Sequence, residues 1–180
     1  PKLKTLKMKY CVFFENVDII TNLESLTLQK IKTASRHDTI HDKILVPIGR
    51  CVNLKELIFI NNREMRDRLD DLQNIRIPDS IGNLIHLETL DLSNNKIEEI
   101  PPTIGNLLGL KDLFLGGNLL EELPSSITNL RSLENIELLG NIELERNLRD
   151  MEPGIDINSL DSLQYFSSSC LKKTLLVKTL

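Results

Sequence analysis

A spaced pattern of apolar residues and asparagine returns along this chain. A leucine is followed by one apolar residue three positions later, another two positions after that, and most often an asparagine after three more. The clearest copies begin 23 residues apart and read Leu87-Leu90-Leu92-Asn95-Ile97 and Leu110-Leu113-Leu115-Asn118-Leu120. Units with a period of about 20–29 residues cannot each enclose a core, so neighbouring units must stack on one another.

Seven copies of this pattern can be aligned on their first leucine. They begin at Leu3, Leu23, Leu54, Leu87, Leu110, Leu133 and Leu160. The period-two spacing inside each copy indicates a short strand with one buried face. A second run with a spacing of three residues, as in Ile81-Leu84-Leu87, favours a helical turn that packs inward. These features predict an α/β solenoid of about seven repeats, with a parallel β-sheet on its concave side and short helices or turns on its convex side.

Asparagine follows the predicted strand in four of the copies, as Asn62, Asn95, Asn118 and Asn141. Its side-chain amide both donates and accepts hydrogen bonds, and it often holds an irregular bend by bonding to the backbone. We therefore expect these side chains to bond backbone groups in the turn after each strand.

One repeat domain, residues 1–180, accounts for the whole chain, although the copies are unevenly spaced. Insertions are predicted in three segments, 32–45, 63–76 and 142–157. In the last segment, Leu144, Leu148 and Met151 stand at helical spacing and predict a helix. The chain enters a repeat within three residues of its start. Because an uncapped solenoid end would expose its core, we expect the chain to be a fragment.

Charge and composition narrow the classes of partner. The formal net charge is −4 and the isoelectric point is about 5.5, which argues against nucleic acid because phosphate binding needs a basic surface. No run approaches the roughly 18 apolar residues of a membrane span, so no membrane partner is expected. Cys11, Cys51 and Cys170 each fall in a predicted buried position, which favours small apolar side chains in a reducing compartment over a disulfide or a metal site.

The stretch 77–141 resembles the cytoplasmic class of leucine-rich repeat proteins whose copies read LxxLxLxxNxLxxLPxxIxxL. That class includes Ras-binding scaffold proteins, plant intracellular Ras-group-related repeat proteins and many bacterial repeat proteins. The motif Leu-Pro-Ser-Ser-Ile at 123–127 and the uneven repeat lengths resemble features of the repeat regions of plant intracellular immune receptors. The resemblance implies a cytoplasmic, non-catalytic module for protein–protein interaction that holds no cofactor.

The open face of the predicted sheet carries the candidate binding site. In this register the third, fifth, seventh and eighth motif positions point to the concave side, and their charge changes from basic to acidic along the chain. Large apolar residues lie beside the acidic ones, an arrangement typical of interface anchors. The residues predicted to contact a protein partner are Ile58, Ile60, Asp91, Asp112, Phe114, Glu137, Leu139 and Phe166. The partner is expected to offer basic residues opposite the three carboxylates.

The sequence leaves other functions open. The chain could be the sensing end of an intracellular immune receptor or of a secreted bacterial effector, or a spacer with no specific ligand. A metal-dependent hydrolase would centre on His37 and His41, which would share one face of a helix. No further Cys or His that could serve as a third ligand lies nearby in sequence, so a solvated loop is the favoured interpretation. The chain contains no Gly-rich phosphate-binding motif.

Overall fold

The computed structural model describes residues 3–10, 12–13, 21–33, 44–62 and 75–151. Its strands are β1 (Thr5–Lys9), β2 (Val12–Phe13), β3 (Ser25–Gln29), β4 (Lys32–Thr33), β5 (Glu56–Ile60), β6 (Thr89–Asp91), β7 (Asp112–Phe114) and β8 (Asn135–Glu137). Six of them form one parallel sheet in the order β1-β3-β5-β6-β7-β8, while β2 pairs with β4 in a separate parallel ladder. Chain order and spatial order agree, so each coil stacks on the one before it.

Short helices return the chain on the convex side. They are α1 (Val46–Ile48) and three 3₁₀ helices, η1 (Asp79–Asn83), η2 (Pro102–Asn106) and η3 (Ser125–Asn129). A proline with extended backbone precedes each 3₁₀ helix, and its fixed φ and missing N–H suit the start of a helix. The three-residue spacing of the buried residues matches the three residues per turn of a 3₁₀ helix. The predicted solenoid with a parallel sheet and convex helical turns is confirmed.

The core lies between the sheet and the convex helices. The register sets Leu57, Leu90 and Leu113 side by side on neighbouring strands, and all three are fully buried. Cys51 belongs to the same core with no exposed surface, and its thiol is free. Burial raises the pKa of this thiol to about 11, so Cys51 acts as a small apolar side chain, as predicted. Cys11 and Cys170 lie outside the described residues.

Buried asparagines tie each coil to its neighbour. The Asn118 amide oxygen accepts hydrogen bonds from the backbone N–H groups of Asn95 (2.9 Å) and Ile97 (3.1 Å), both in the preceding coil. Its nitrogen donates to the carbonyls of Leu92 (3.0 Å) and Leu115 (2.8 Å), one in each coil. The predicted bonds to the turn backbone are therefore present, and they also bridge adjacent coils. The residues that share this role are Asn62, Asn95, Asn118 and Asn141.

Glycine allows the convex helices to approach one another. A Cβ atom on Gly105 in η2 would lie 2.6 Å from the backbone oxygen of Ser126 in η3, which is closer than real contacts permit. Gly82 in η1 stands in the same relation to Thr103 in η2. In η3 this position is occupied by Thr128, which is exposed and donates to the Ser125 carbonyl (3.0 Å). A further convex helix stacked at the same spacing would collide with Thr128.

Only parts of the three predicted insertions lie within the described residues. In the first, Lys32–Thr33 form β4, while Ile44 and Leu45 are buried in the core. In the second, Ile75 is buried and bridges to Ile97. The third begins with α2 (Ile142–Met151), the helix expected there, which buries Leu144 and Leu148. Residues 34–43, 63–74 and 152–157 lie outside the described residues.

A row of alternating charges runs along the edge where the strands begin. It occupies the second motif position of six successive coils, which are Lys4, Glu24, Lys55, Glu88, Lys111 and Glu134. Glu24 forms ion pairs with Lys4 (2.5 Å) and Lys55 (3.4 Å), and Glu88 pairs with Lys111 (2.6 Å). The hydrogen bond from Lys4 lowers the pKa of Glu24, and the hydrogen bond from Lys111 lowers the pKa of Glu88. We call this row the charge ladder.

We predict that Asn118→Ala lowers the free energy of unfolding by about 3 kcal/mol. The substitution leaves two buried N–H groups without an acceptor, and each such loss costs about 1–3 kcal/mol. Asn83→Ala, at an exposed position in η1, is the matched control and should cost less than about 0.5 kcal/mol. Urea denaturation measures both values, and equal losses for the two variants would contradict the structural role of Asn118.

We predict a second contrast between two glycines. Gly105→Ala should destabilise the fold by about 1–3 kcal/mol because η2 and η3 must move apart. Gly109→Ala should be tolerated, since its nearest neighbour would be 3.9 Å from the new Cβ. Thermal unfolding of the two variants tests the close approach, which would be refuted by an undiminished stability of Gly105→Ala.

The charge ladder should make the stability of the fold depend on pH. The folded-state pKa values of Glu24 and Glu88 lie below the ordinary value of 4.5. Their contribution is therefore complete above about pH 4.5 and is lost as the pH falls through the lowered values. The drop in melting temperature between about pH 6 and pH 3 should be smaller in Glu24→Gln/Glu88→Gln than in the wild type at low salt.

Glu99→Gln/Glu121→Gln removes two exposed carboxylates outside the ladder and serves as the control for this pH titration. This control should show the same fall in melting temperature between about pH 6 and pH 3 as the wild type. In about 1 M salt the contribution of the ladder to this fall should become smaller, because the Debye length decreases to roughly 3 Å. The same drop in all three proteins would show that the ladder does not contribute.

Candidate functional site

The sheet register builds one central row on the concave face. Strand pairing places Ile58, Asp91, Phe114 and Glu137 next to one another on β5, β6, β7 and β8. Adjacent strands lie about 4.8 Å apart, so the two carboxylates flank the aromatic ring on either side. These four residues, spread over about 80 positions of sequence, become direct neighbours only through the stacking of the coils.

A shallow depression of about 420 Å³ opens beside this row. Its lining residues are Ile60, Asn61, Asp91, Ser93, Asn94, Gly116, Gly117, Glu137 and Leu139. Sequence reasoning placed Ile60, Asp91, Glu137 and Leu139 on this face and marked them as candidate contacts. The motif positions also place Ser93, Asn61, Asn94 and the two glycines on this face, but the predicted contacts include only its large apolar and acidic residues.

Gly116 keeps the depression open. A Cβ atom there would stand 3.1 Å from Oε1 of Glu137 and 3.1 Å from the carbonyl of Leu139. The missing side chain therefore leaves room that Glu137 and Leu139 border. The neighbouring Gly117 has φ +66°, a left-handed backbone that suits glycine. A left-handed residue follows each of the six strands of the described sheet, and these residues are Tyr10, Lys30, Asn61, Asn94, Gly117 and Gly140.

The predicted apolar anchors differ in exposure. Leu139 is 47% exposed, whereas Ile58, Ile60 and Phe114 are half-buried. A half-buried ring is held in place while part of it remains open to a ligand. Phe166 lies outside the described residues, and so do His37 and His41.

The carboxylates of the face are held by neutral donors. Asp112 accepts from the hydroxyl of Thr89 (3.1 Å) and from the amide of Asn135 (2.6 Å). Asp91 accepts from the backbone N–H of Ser93 (2.9 Å). Among the described residues, no ion pair involves Asp91, Asp112 or Glu137. Neutral donors therefore orient Asp91 and Asp112, and the charge of Asp112 also helps to raise the pKa of Lys111, although its hydrogen bond with Glu88 is the main cause.

The opposite end of the face is basic. Lys9 and Lys30 stand over the ring of Tyr10, with ammonium-to-centroid distances of 5.3 and 4.9 Å. Lys30 also donates to the Tyr10 hydroxyl (3.2 Å), and this bond is the main cause of a lowered pKa for Tyr10. Lys7 on β1 adds a further positive charge at this end. The charge of the face therefore changes from basic to acidic along the sheet, as the sequence predicts.

In the part of the chain that the structure describes, no group of three or more His, Cys, Asp and Glu side chains is placed to hold a metal ion. None of the helices described is both long enough and apolar enough to cross a bilayer.

Comparison with known proteins identifies similar folds. A family model described as a leucine-rich repeat region matches residues 68–170, which is more than half of the chain. A leucine-rich repeat protein of Leptospira interrogans is 27% identical, with a TM-score of 0.55, over 73% of this chain and 30% of that one. No curated protein sequence matches the chain.

Two plant structures are also similar. The plant peptide hormone receptor RGFR1, in complex with RGF2, is 28% identical with a TM-score of 0.54, over 71% of this chain and 19% of that one. The Arabidopsis receptor kinase HAESA, in complex with the peptide hormone IDA and the co-receptor SERK1, is 22% identical with a TM-score of 0.56, over 76% and 22%. The chain thus spans less than a third of the length of these three structures.

Proposed function

This chain belongs to the leucine-rich repeat family, and on that premise we propose that it is a non-catalytic module that binds a protein partner on its concave face. The family fold is typical of protein–protein interaction and is generally not enzymatic. The plant receptor with 28% identity is a complex with RGF2, which supports a binding role for the present chain.

The central row carries the proposal. Phe114 offers a fixed, half-buried ring between Asp91 and Glu137, and neither carboxylate has a cationic partner among the described residues. Aromatic rings surrounded by polar groups are frequent centres of binding energy at interfaces. None of these three side chains belongs to the buried core, so the ring and the two charges are available for recognition.

The partner should present basic side chains. Lysine or arginine would meet Asp91, Asp112 and Glu137, none of which forms an ion pair among the described residues. Leu139 and Ile60 border the adjoining depression, where the aliphatic stem of such a side chain could pack. Electrostatic attraction would act mainly on the rate of association and on specificity.

A cytoplasmic setting is part of the same proposal. The similarity of 77–141 to the cytoplasmic repeat class supports it, and the wording at 123–127 favours the repeat region of an intracellular immune receptor as a second candidate. A bacterial effector is the other alternative. A nucleotide-binding or TIR region in the flanking sequence would identify the receptor, and a ligase or translocation segment would identify the effector.

The test is the double substitution Phe114→Ala/Glu137→Ala. A partner is first isolated with the wild-type chain and purified, and its affinity is then measured by calorimetric titration. Removing the ring and one carboxylate should weaken binding about 30- to 1,000-fold, because each of the two anchors contributes roughly 1–2 kcal/mol. The melting temperature should change little, since both side chains keep contact with solvent.

Leu119→Ala/Glu121→Ala is the matched control. It removes one exposed apolar and one exposed acidic side chain from the turn that follows β7, outside the concave row. Its affinity for the partner should equal that of the wild type. An unchanged affinity of the concave-face variant would mean that the partner binds elsewhere.

A further inference from the structure

A second surface of the solenoid also exposes apolar side chains in register. Val52, Ile85 and Leu108 are 45%, 57% and 57% exposed. Each stands two residues before the motif leucine of its coil, so the three lie at equivalent positions of consecutive coils. An exposed apolar row of this kind marks an interaction surface more often than a scattered single residue does.

The charge ladder runs beside this row. Each ladder residue follows the apolar residue by three positions, as Lys55 follows Val52 and Glu88 follows Ile85. Both rows lie where the chain leaves the convex side and enters the strands. This edge is separate from the concave face, so an interaction along it does not depend on the proposed function.

We propose that this edge binds a second copy of the chain in an antiparallel, two-fold arrangement. The ladder has six members that alternate strictly in sign, from Lys4 to Glu134. If two copies of this row lie side by side in opposite directions, each lysine of one copy can lie opposite a glutamate of the other. A two-fold axis that passes between Lys55 and Glu88 brings every member opposite a charge of the other sign.

The pairs across this axis follow from the order of the coils. Lys55 faces Glu88 of the second copy, Glu24 faces Lys111 and Lys4 faces Glu134. The same axis places Val52 opposite Ile85 of the second copy. A shift of the two copies by one coil would bring like charges together, so the ladder fixes the register of the pair.

Charge complementarity favours a second copy over other occupants. The ladder contains three lysines and three glutamates and has no net charge, so it does not attract a uniformly acidic or basic partner. Some lysines and glutamates of the ladder already form ion pairs with each other within one chain. The apolar row therefore supplies most of the affinity, and the ladder supplies specificity.

The size of the edge predicts a weak dimer. Six strands at about 4.8 Å spacing give a row roughly 24 Å long, which is too short to bury the roughly 800 Å² per partner of a standard stable interface. Association should therefore be reversible and should appear at high protein concentration. Both copies keep their concave faces free.

Sedimentation equilibrium of the chain tests the proposal directly. The mean mass should rise towards that of a dimer as the concentration approaches about 0.5 mM, where an interface of this size is expected to associate. Ile85→Ser/Leu108→Ser should raise the dimer dissociation constant at least about tenfold. Leu119→Ser, at an exposed position in another turn, is the control and should leave it unchanged.

A complementation experiment tests the axis itself. Lys55→Glu alone and Glu88→Lys alone each create two like-charge contacts across the axis, so each variant should self-associate less than the wild type. A one-to-one mixture pairs the new glutamate with the new lysine and the native Glu88 with the native Lys55. The mixture should therefore recover the wild-type dimer, which loss of folding in either variant cannot imitate.

Three outcomes would overturn the proposal. The first is that the wild-type chain stays monomeric up to about 0.5 mM. The second is that the Ile85→Ser/Leu108→Ser variant dimerises like the wild type. The third is that the mixture of the two charge variants associates no better than either variant alone. Because none of these measurements involves the concave face, they are independent of the partner-binding experiment.

Discussion

The stack of buried asparagines is the interaction on which the rest of this structure depends. A strand that ends inside the molecule leaves backbone N–H and C=O groups with no partner, and each unsatisfied group would cost about 1–3 kcal/mol. Asn118 satisfies such groups in its own coil and in the preceding one through a single amide. Its equivalents repeat this in the neighbouring coils, so every coil depends on the presence of the next.

This dependence holds the coils at a constant spacing, and the spacing produces the surfaces. On the concave face, it lines up Asp91, Phe114 and Glu137 from three separate strands. On the edge where the strands begin, it lines up Val52 with Ile85 and Lys55 with Glu88. On the convex side it requires glycine where helices touch. Neither the concave row nor the edge row contributes to the core, so both remain available for recognition.

Much of the fold could be predicted because a short motif repeats. The alternation in Leu113 and Leu115 identified the buried face, and the three-residue spacing around Ile104 identified the convex turn. The helix at Ile142–Met151 followed from its apolar spacing. The asparagines were predicted to bond backbone, but their bridging of neighbouring coils could not be read from one copy, since the acceptor belongs to another copy more than twenty residues away.

The candidate site was predicted less completely. Assignment to the concave face needs only the motif position, which is why the sequence places Asp91 and Leu139 beside the depression that the structure shows. The role of Gly116 was missed because an absent side chain gives no pattern, and its effect depends on Glu137 and Leu139 in the next coil. The meaning of the alternating lysines and glutamates was missed for the same reason, since the members of the ladder are neighbours only after stacking.

The sequence by itself determined the period, the buried face of the repeated strands and the turns that follow them, because these depend on side chains within about ten residues of one another. The tertiary structure alone decided which side chains of different coils become neighbours. That decision follows from the strand register, which the sequence does not state and which the hydrogen bonds between coils set.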